Sequence, residues 1–144
     1  MSLAKIGNVR INPTLCAIGQ YWDGRGVGAT GPNGKMVAFA AEEDPIKGLE
    51  LMKELLQAVK SVDNENNIIE LNNHAFIDKK MIGVISIAPE KAVVINNNEG
   101  EVIYWLEESN TEKADLICEE INKAYDAAGT PKPYVIDWPS LMNE

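Results

Sequence analysis

The chain has 144 residues, 45% hydrophobic and 24% charged, which fits one soluble globular domain or two small halves sharing a core. Its net charge of −9 and isoelectric point near 4.6 weigh against broad electrostatic attraction to nucleic acid or to an anionic membrane. The sequence contains no run of about 18 apolar residues and no signal-peptide pattern, which predicts a cytoplasmic protein without a membrane span.

Residues 1–62 predict a meander of strands followed by one helix. The candidate strands are residues 5–11, 15–22, 26–30 and 36–41. Between the last two, Pro32-Asn33-Gly34 predicts a hairpin, because Asn-Gly suits a type I′ turn. Asp44 is placed to cap a helix whose first position is Pro45, and apolar residues then recur at spacings of three and four.

Residues 63–129 follow the same plan. The candidate strands are residues 68–71, 75–77, 81–88, 92–95 and 102–106, with an Asn-rich turn at 96–100 between the last two. Ser109 and Glu112 have the spacing of a capping box, which predicts where the following helix starts. Gly129 and Pro131 are typical of the end of that helix.

The two segments resemble each other position by position. Residues 11–60 lie on residues 77–126 without a gap, 66 positions apart, and what repeats is residue class and turn position. Gly34 falls on Gly100, and Phe39 falls on Trp105. The repetition predicts an α+β fold built by tandem duplication of a unit with three to four strands and a helix. We expect antiparallel sheets packed with two helices, and two halves that share one compact domain about a pseudo-two-fold axis.

The strand at residues 102–106 is apolar on both of its faces, whereas a strand with one face in solvent alternates apolar and polar residues. We therefore expect both faces to be covered, one by helices and the other by the sister half, a second subunit or the tail. The tail, residues 130–144, begins with a stiff Pro-Lys-Pro spacer and continues with apolar residues that include Tyr134 and Trp138. It is predicted either to pack back on the body or to dock a partner.

Motifs for catalysis or cofactor binding are weak. Gly26, Gly28 and Gly31 have the letters of a dinucleotide-binding loop, but a hairpin follows them where that motif needs a helix. His74 is the only histidine, and no nucleophile is placed beside it by spacing. We expect no catalytic residue, metal or cofactor, and a protein that is not an enzyme.

The two cysteines, Cys16 and Cys118, lie in different elements and lack metal-ligand spacing, so they are predicted to be reduced core residues. Glu42 and Glu108 recur where a strand leads into a helix. A carboxylate there stabilises the helix N-terminus, so their recurrence does not require a calcium site.

One cluster in the first half combines aromatic and basic residues, namely Tyr21, Trp22, Arg25 and Lys35. Such a combination suits stacking of unpaired bases with phosphate contacts, although a core Tyr and Trp beside two solvated charges is the preferred explanation. The order of elements resembles the single-stranded-nucleic-acid-binding fold of the Whirly proteins and, more loosely, PH-like modules. This resemblance rests on element order and assigns no residues.

The sequence predicts a non-enzymatic binding or assembly module that acts through protein contacts, either with a partner or with itself as a homodimer. The alternatives are a single-stranded nucleic-acid-binding protein, which the acidic charge disfavours, and a small-ligand-binding protein with its site between the halves, near the glycine-rich loop. The candidate binding surface consists of Tyr21, Trp22, Arg25, Lys35, Tyr134 and Trp138.

Overall fold

The computed structural model describes residues 3–143, so the first two residues of the predicted first unit and the last residue of the tail lie outside it. Within these residues, ten strands form three antiparallel sheets that pack with two long helices, which confirms the predicted α+β class with antiparallel sheets. None of the helices described is long and apolar enough to cross a bilayer.

The first half contains five strands and a helix, and the second half repeats that order. The elements of the first half are β1 (Ala4–Ile6), β2 (Val9–Ile11), β3 (Ile18–Trp22), β4 (Gly26–Thr30), β5 (Met36–Ala41) and α1 (Pro45–Val62). Those of the second half are β6 (Ile68–Leu71), β7 (Ala75–Asp78), β8 (Val84–Ala88), β9 (Ala92–Asn96), β10 (Val102–Glu107) and α2 (Thr111–Ala127). The tail adds a short helix, α3 (Trp138–Met142).

The largest sheet joins the two halves. Its strand order is β5-β4-β3-β7-β6, so the β6–β7 hairpin of the second half extends the sheet of the first half. The remaining strands form a three-stranded sheet, β10-β9-β8, and a separate β1–β2 hairpin. The junction between the halves is the antiparallel pairing of β3 with β7, in which Ile18 lies opposite Ile77.

Most corresponding elements begin 66 positions apart. β3, β4 and β5 begin and end 66 residues before β8, β9 and β10, and their ladders have the same register, with Ile18 opposite Thr30 and Val84 opposite Asn96. The irregularity in the β4–β5 ladder also recurs between β9 and β10. The predicted two-fold axis is not confirmed, because a two-fold that relates β3 to β8 would also pair β8 with β2, and the structure does not show that pair.

The first predicted strand, residues 5–11, was wrong in extent. Gly7 adopts a φ of +58°, so the chain folds there into the β1–β2 hairpin. The strands predicted from residues 15 and 81 also begin later, at Ile18 and Val84, because short 3-10 turns precede them. In both turns a side chain, that of Asn12 or Asp78, accepts a hydrogen bond from a backbone N–H two residues on.

The helix starts agree with the prediction in one half and differ in the other. Asp44 caps α1 by accepting from the N–H of Ile46 at 3.0 Å. In α2 the cap is Asn110, which accepts from the N–H of Lys113 at 3.1 Å, so the predicted capping box on Ser109 was wrong. An Asn accepts well at this position, and it lies one residue closer to the apolar stripe.

The turn between β4 and β5 is not the predicted type I′ turn. That type needs positive φ at two central residues, but of Asn33 and Gly34 only Gly34 has one, at +81°. The N–H of Gly34 donates to the C=O of Gly31 at 3.0 Å, which closes a turn around Pro32.

Two apolar cores lie on opposite sides of the shared sheet. α1 packs with the β1–β2 hairpin and one face of β3–β5, while α2 packs with β8–β10 and the opposite face of β6–β7. Two neighbours on β7 show the division, since Phe76 belongs to the first core and Ile77 to the second, both fully buried. The shared hairpin therefore binds the halves together through both of its faces.

Candidate functional site

The predicted aromatic and basic cluster is divided by the sheet. Tyr21 is buried under α1, where its ring lies so close to Gly48 that a Cβ there would approach it within 2.5 Å. Its hydroxyl donates to Asp23 Oδ1 at 2.9 Å, and burial together with that carboxylate raises the pKa of Tyr21. Tyr21 is therefore a core residue and offers no stacking surface.

Trp22, the next residue on β3, points to the opposite face. Its ring lies over Gly28, where a Cβ would meet it at 2.5 Å, and its centroid is 6.2 Å from that of Phe39. Met36 flanks the same ring and is exposed, as is Phe39. Trp22 thus belongs to a small apolar patch on the outer face of the first sheet.

Arg25 and Lys35 do not meet. Both side chains are exposed, but Arg25 precedes β4 and Lys35 lies in the turn after it. A strand of this length separates them by about 17 Å. The four predicted residues therefore form no single aromatic and basic surface.

The tail packs back on the body. Trp138 is only 5% exposed within the second core, and its Nε1–H donates to the C=O of Glu70 at 2.9 Å, which caps the outer edge of β6. Tyr134 is partly exposed, and its hydroxyl donates to Glu120 Oε1 at 2.6 Å. This hydrogen bond and the Lys123 ammonium lower the pKa of Glu120. Of the two predicted tail residues, only Tyr134 reaches solvent.

The outer face of the three-stranded sheet carries apolar side chains that the prediction of candidate residues missed. Val84 is 53% exposed, Val102 57% and Trp105 48%. The sequence signal was present, because residues 102–106 are apolar on both faces. Which face stays open depends on α2, which covers the side of Val93 and Ile95. Within residues 3–143, this outer face remains the uncovered one.

The first sheet carries a similar pair at the corresponding positions. Met36 and Phe39 lie 66 residues before Val102 and Trp105, and all four side chains are exposed. Exposed large apolar side chains that recur on one face are typical of surfaces that contact another chain.

The groups suited to catalysis are dispersed or shielded. Among the described residues, no three His, Cys, Asp and Glu side chains are arranged to hold a metal ion. Burial raises the pKa of the Cys16 thiol to about 12, and burial together with the nearby Asp115 carboxylate raises that of Cys118. Both thiols are free, and neither is poised as a nucleophile at neutral pH.

A cleft lies between the halves at the turn that ends the glycine-rich loop. It has a volume of about 130 Å³ and is lined by residues that include Pro32, Asn33, Met81 and Asn97. Pockets for small organic ligands usually measure about 300–1,000 Å³. The cleft is thus small for the ligand-binding alternative.

Comparison with protein-family models, curated proteins and solved structures finds no significant match to this chain. The resemblance to Whirly and PH-like folds stays a prediction from element order. Any functional inference therefore depends on the geometry of the chain itself.

Proposed function

We propose that the protein is a non-enzymatic assembly module that acts through contacts between protein chains, with copies of the same chain as its first partner. The observation that supports this proposal is the outer face of the three-stranded sheet, where Val84, Val102 and Trp105 are exposed together with an open strand edge. An open edge beside exposed apolar side chains favours pairing with another chain.

We also infer that the two halves descend from one duplicated unit. The shared 66-residue spacing of strands, helices and ladder registers supports this inference. The relation between the halves is head to tail, because the hairpin of the second half extends the sheet of the first and no reciprocal pairing is present in residues 3–143. A head-to-tail relation joins two different surfaces. The first half uses its sheet edge to bind the second half, and the corresponding sheet edge of the second half stays unpaired.

Light scattering coupled to size exclusion, over a wide range of protein concentration, tests the proposed self-association. We expect a mass above the 15.8 kDa of one chain that rises with concentration. Because each copy carries a net charge of −9, association should strengthen with added salt, whereas nucleic-acid binding would weaken. A mass of one chain at every concentration and salt level would refute self-association.

A triple variant tests the surface that supports the proposal. Replacing Val84, Val102 and Trp105 with Ser should weaken association by about tenfold or more, because it removes the exposed apolar contacts. The matched control replaces three other exposed apolar residues with Ser, namely Ile46, Leu116 and Val135, and should associate like the wild type. Equal loss in both triple variants would count against a role for this face.

A further inference from the structure

The junction between the halves shows how this chain binds a copy of its own unit. β3 pairs with β7 so that Ile18, Gly19 and Gln20 lie opposite Ile77, Phe76 and Ala75. Two more hydrogen bonds flank the ladder, from the N–H of Tyr21 to the C=O of His74 and from the N–H of Asp78 to the C=O of Ala17. A hairpin of one unit is thus added to the open edge of the other unit's sheet.

The two strands that correspond to this pair both lack a paired strand on one side. β8 lies 66 positions after β3, and β2 lies 66 positions before β7. In the part of the chain that the structure describes, β8 pairs only with β9, and β2 pairs only with β1. One chain therefore carries both strands that a second junction of this kind would need, β8 and β2, and each has an unpaired edge.

Residues at the internal junction are buried, whereas the residues at the corresponding positions of β8 and β2 are exposed. Ile18 on β3 is 5% exposed beside β7, whereas its counterpart Val84 on β8 is 53% exposed. Phe76 on β7 is fully buried beside β3, whereas its counterpart Arg10 on β2 is exposed. The same backbone positions are covered at one junction and bare at the other.

The helix flanks differ in the same way. Met52 and Val59 of α1 are buried in the core that contains Phe76, but their counterparts Cys118 and Tyr125 of α2 are only partly buried. A groove of about 470 Å³, lined by Tyr125 and other residues, adjoins the start of β8. Lys79 Nζ lies 4.7 Å from the centre of the Tyr125 ring, so this flank of α2 is partly covered by a flexible side chain, whereas that of α1 is filled by core residues.

Opposite charges face each other at the internal junction, and the corresponding positions carry opposite charges with the signs exchanged. Within the chain, Lys60 Nζ on α1 lies 2.9 Å from Glu70 Oε2 on β6. The counterpart of Lys60 is Asp126. The position 66 before Glu70 is Ala4, but the β1–β2 turn is one residue shorter, so Lys5 takes the place of Glu70 in the ladder: it lies opposite Arg10 as Glu70 lies opposite Phe76. A junction between copies would again bring a cation to an anion.

We propose that the outer edge of β8 binds the β1–β2 hairpin of a second copy of this chain, head to tail and in the register of the internal junction. Val84, Ile85 and Ser86 then lie opposite Ile11, Arg10 and Val9 of the other copy, and Asp126 faces its Lys5. The proposal rests on the proposed self-association and names the surfaces that carry it, and of the three exposed apolar residues it covers Val84. Because the two surfaces differ, the assembly closes into a ring or grows as a filament.

At one pair of positions the two junctions differ in which strand carries the side chain that fills the space between them. At the internal junction, Gly19 leaves room for the Phe76 ring, since a Cβ there would lie 2.1 Å from it. At the proposed junction, Ile85 fills that space itself. Arg10, at the position of Phe76, lies beside Cys118 and Tyr125 of the other copy's α2, where its flexible stem packs.

Proline at the two free edges tests the pairing. The N–H of Tyr21 points towards β7, so that of Gly19, two residues earlier, points the same way. By correspondence, Ile85 and Arg10 direct their N–H groups to the free edges of β8 and β2. Ile85→Pro or Arg10→Pro therefore removes a donor from the junction while leaving the β8–β9 and β1–β2 ladders in place.

Sedimentation velocity of the two proline variants, alone and mixed, separates the outcomes. Each alone should stay at the mass of one chain, 15.8 kDa, and the mixture should form a one-to-one complex of twice that mass. Each variant retains the surface that the other lacks. Proline variants that assemble like the wild type, or a mixture that stays monomeric, would overturn the junction. A monomeric wild type would overturn the proposed self-association as well.

Exchange of the paired charges tests the same junction without touching the backbone. Lys5→Glu or Asp126→Lys should each weaken association by about two- to fivefold, and the double variant should restore it. Lys53→Glu changes an exposed charge elsewhere on α1 and serves as the control. Circular dichroism verifies that each variant folds. Single variants without effect, or a double variant without recovery, would contradict the placement of Asp126 against Lys5.

Discussion

At the residue scale, Gly19 is a position where the two halves approach closely. It lies opposite Phe76 in the β3–β7 ladder, and the Phe76 ring occupies the space that a side chain at position 19 would need. The ring is fully buried and belongs to the first core, so it has little room to move.

Gly19→Ala should destabilise the fold by about 1–3 kcal/mol, because the added methyl overlaps a buried ring. The free energy of unfolding in urea measures the effect. Phe76→Leu in the same chain should recover part of the loss in a double-mutant cycle, since the smaller side chain relieves the overlap. Equal stability of the wild type and Gly19→Ala would show that the halves do not meet as described.

At the scale of elements, the structure matches the sequence best where an apolar run has turn residues on both sides. β4, β5 and β6 have the predicted bounds for this reason, and Asp44-Pro45 marks the start of α1 by local chemistry. The β1–β2 hairpin was missed because residues 5–11 read as one alternating strand, and the positive φ of Gly7 is a property of the folded hairpin.

The tail is the element whose role the sequence left open. Its composition suited both packing and docking, and burial of Trp138 against the second core resolves the alternatives in favour of packing. Trp138 also occupies the outer edge of β6, so that edge of the shared sheet is unavailable to another strand.

Trp138→Ala should cost about 3–5 kcal/mol of unfolding free energy, because it leaves a cavity and removes the hydrogen bond to Glu70. Val135→Ala in the same segment, where the side chain is 72% exposed, should change stability by less than about 0.5 kcal/mol. Urea unfolding compares the two variants. Similar values for both would mean that the tail contributes little to the core.

At the scale of the whole molecule, the sequence predicted a repeated unit but not how its copies are joined. The pairing of β3 with β7 connects residues about 60 positions apart, and nothing in the local pattern encodes it. Among residues 3–143, that single pairing leaves β8 unpaired on its outer side, and the expected two-fold relation is not confirmed. The predicted binding residues were chosen by chemical type, whereas the open surface follows from this topology.

The central claim is that the surface joining the halves is used again between copies, and trapping by a disulfide tests its register most directly. Ser86 and Val9 are the counterparts of Gln20 and Ala75, which lie opposite each other in the internal ladder. Opposite residues of antiparallel strands have Cα atoms about 4.5–5.5 Å apart, within the range of a disulfide.

Two variants are mixed under oxidising conditions, one with Ser86→Cys and the other with Val9→Cys, both with Cys16 and Cys118 replaced by Ala. The account predicts a disulfide-linked dimer that contains one copy of each variant, and little linked dimer from either variant alone. Dimers of Ser86→Cys alone in equal yield, or no linked species while the wild type self-associates, would contradict it.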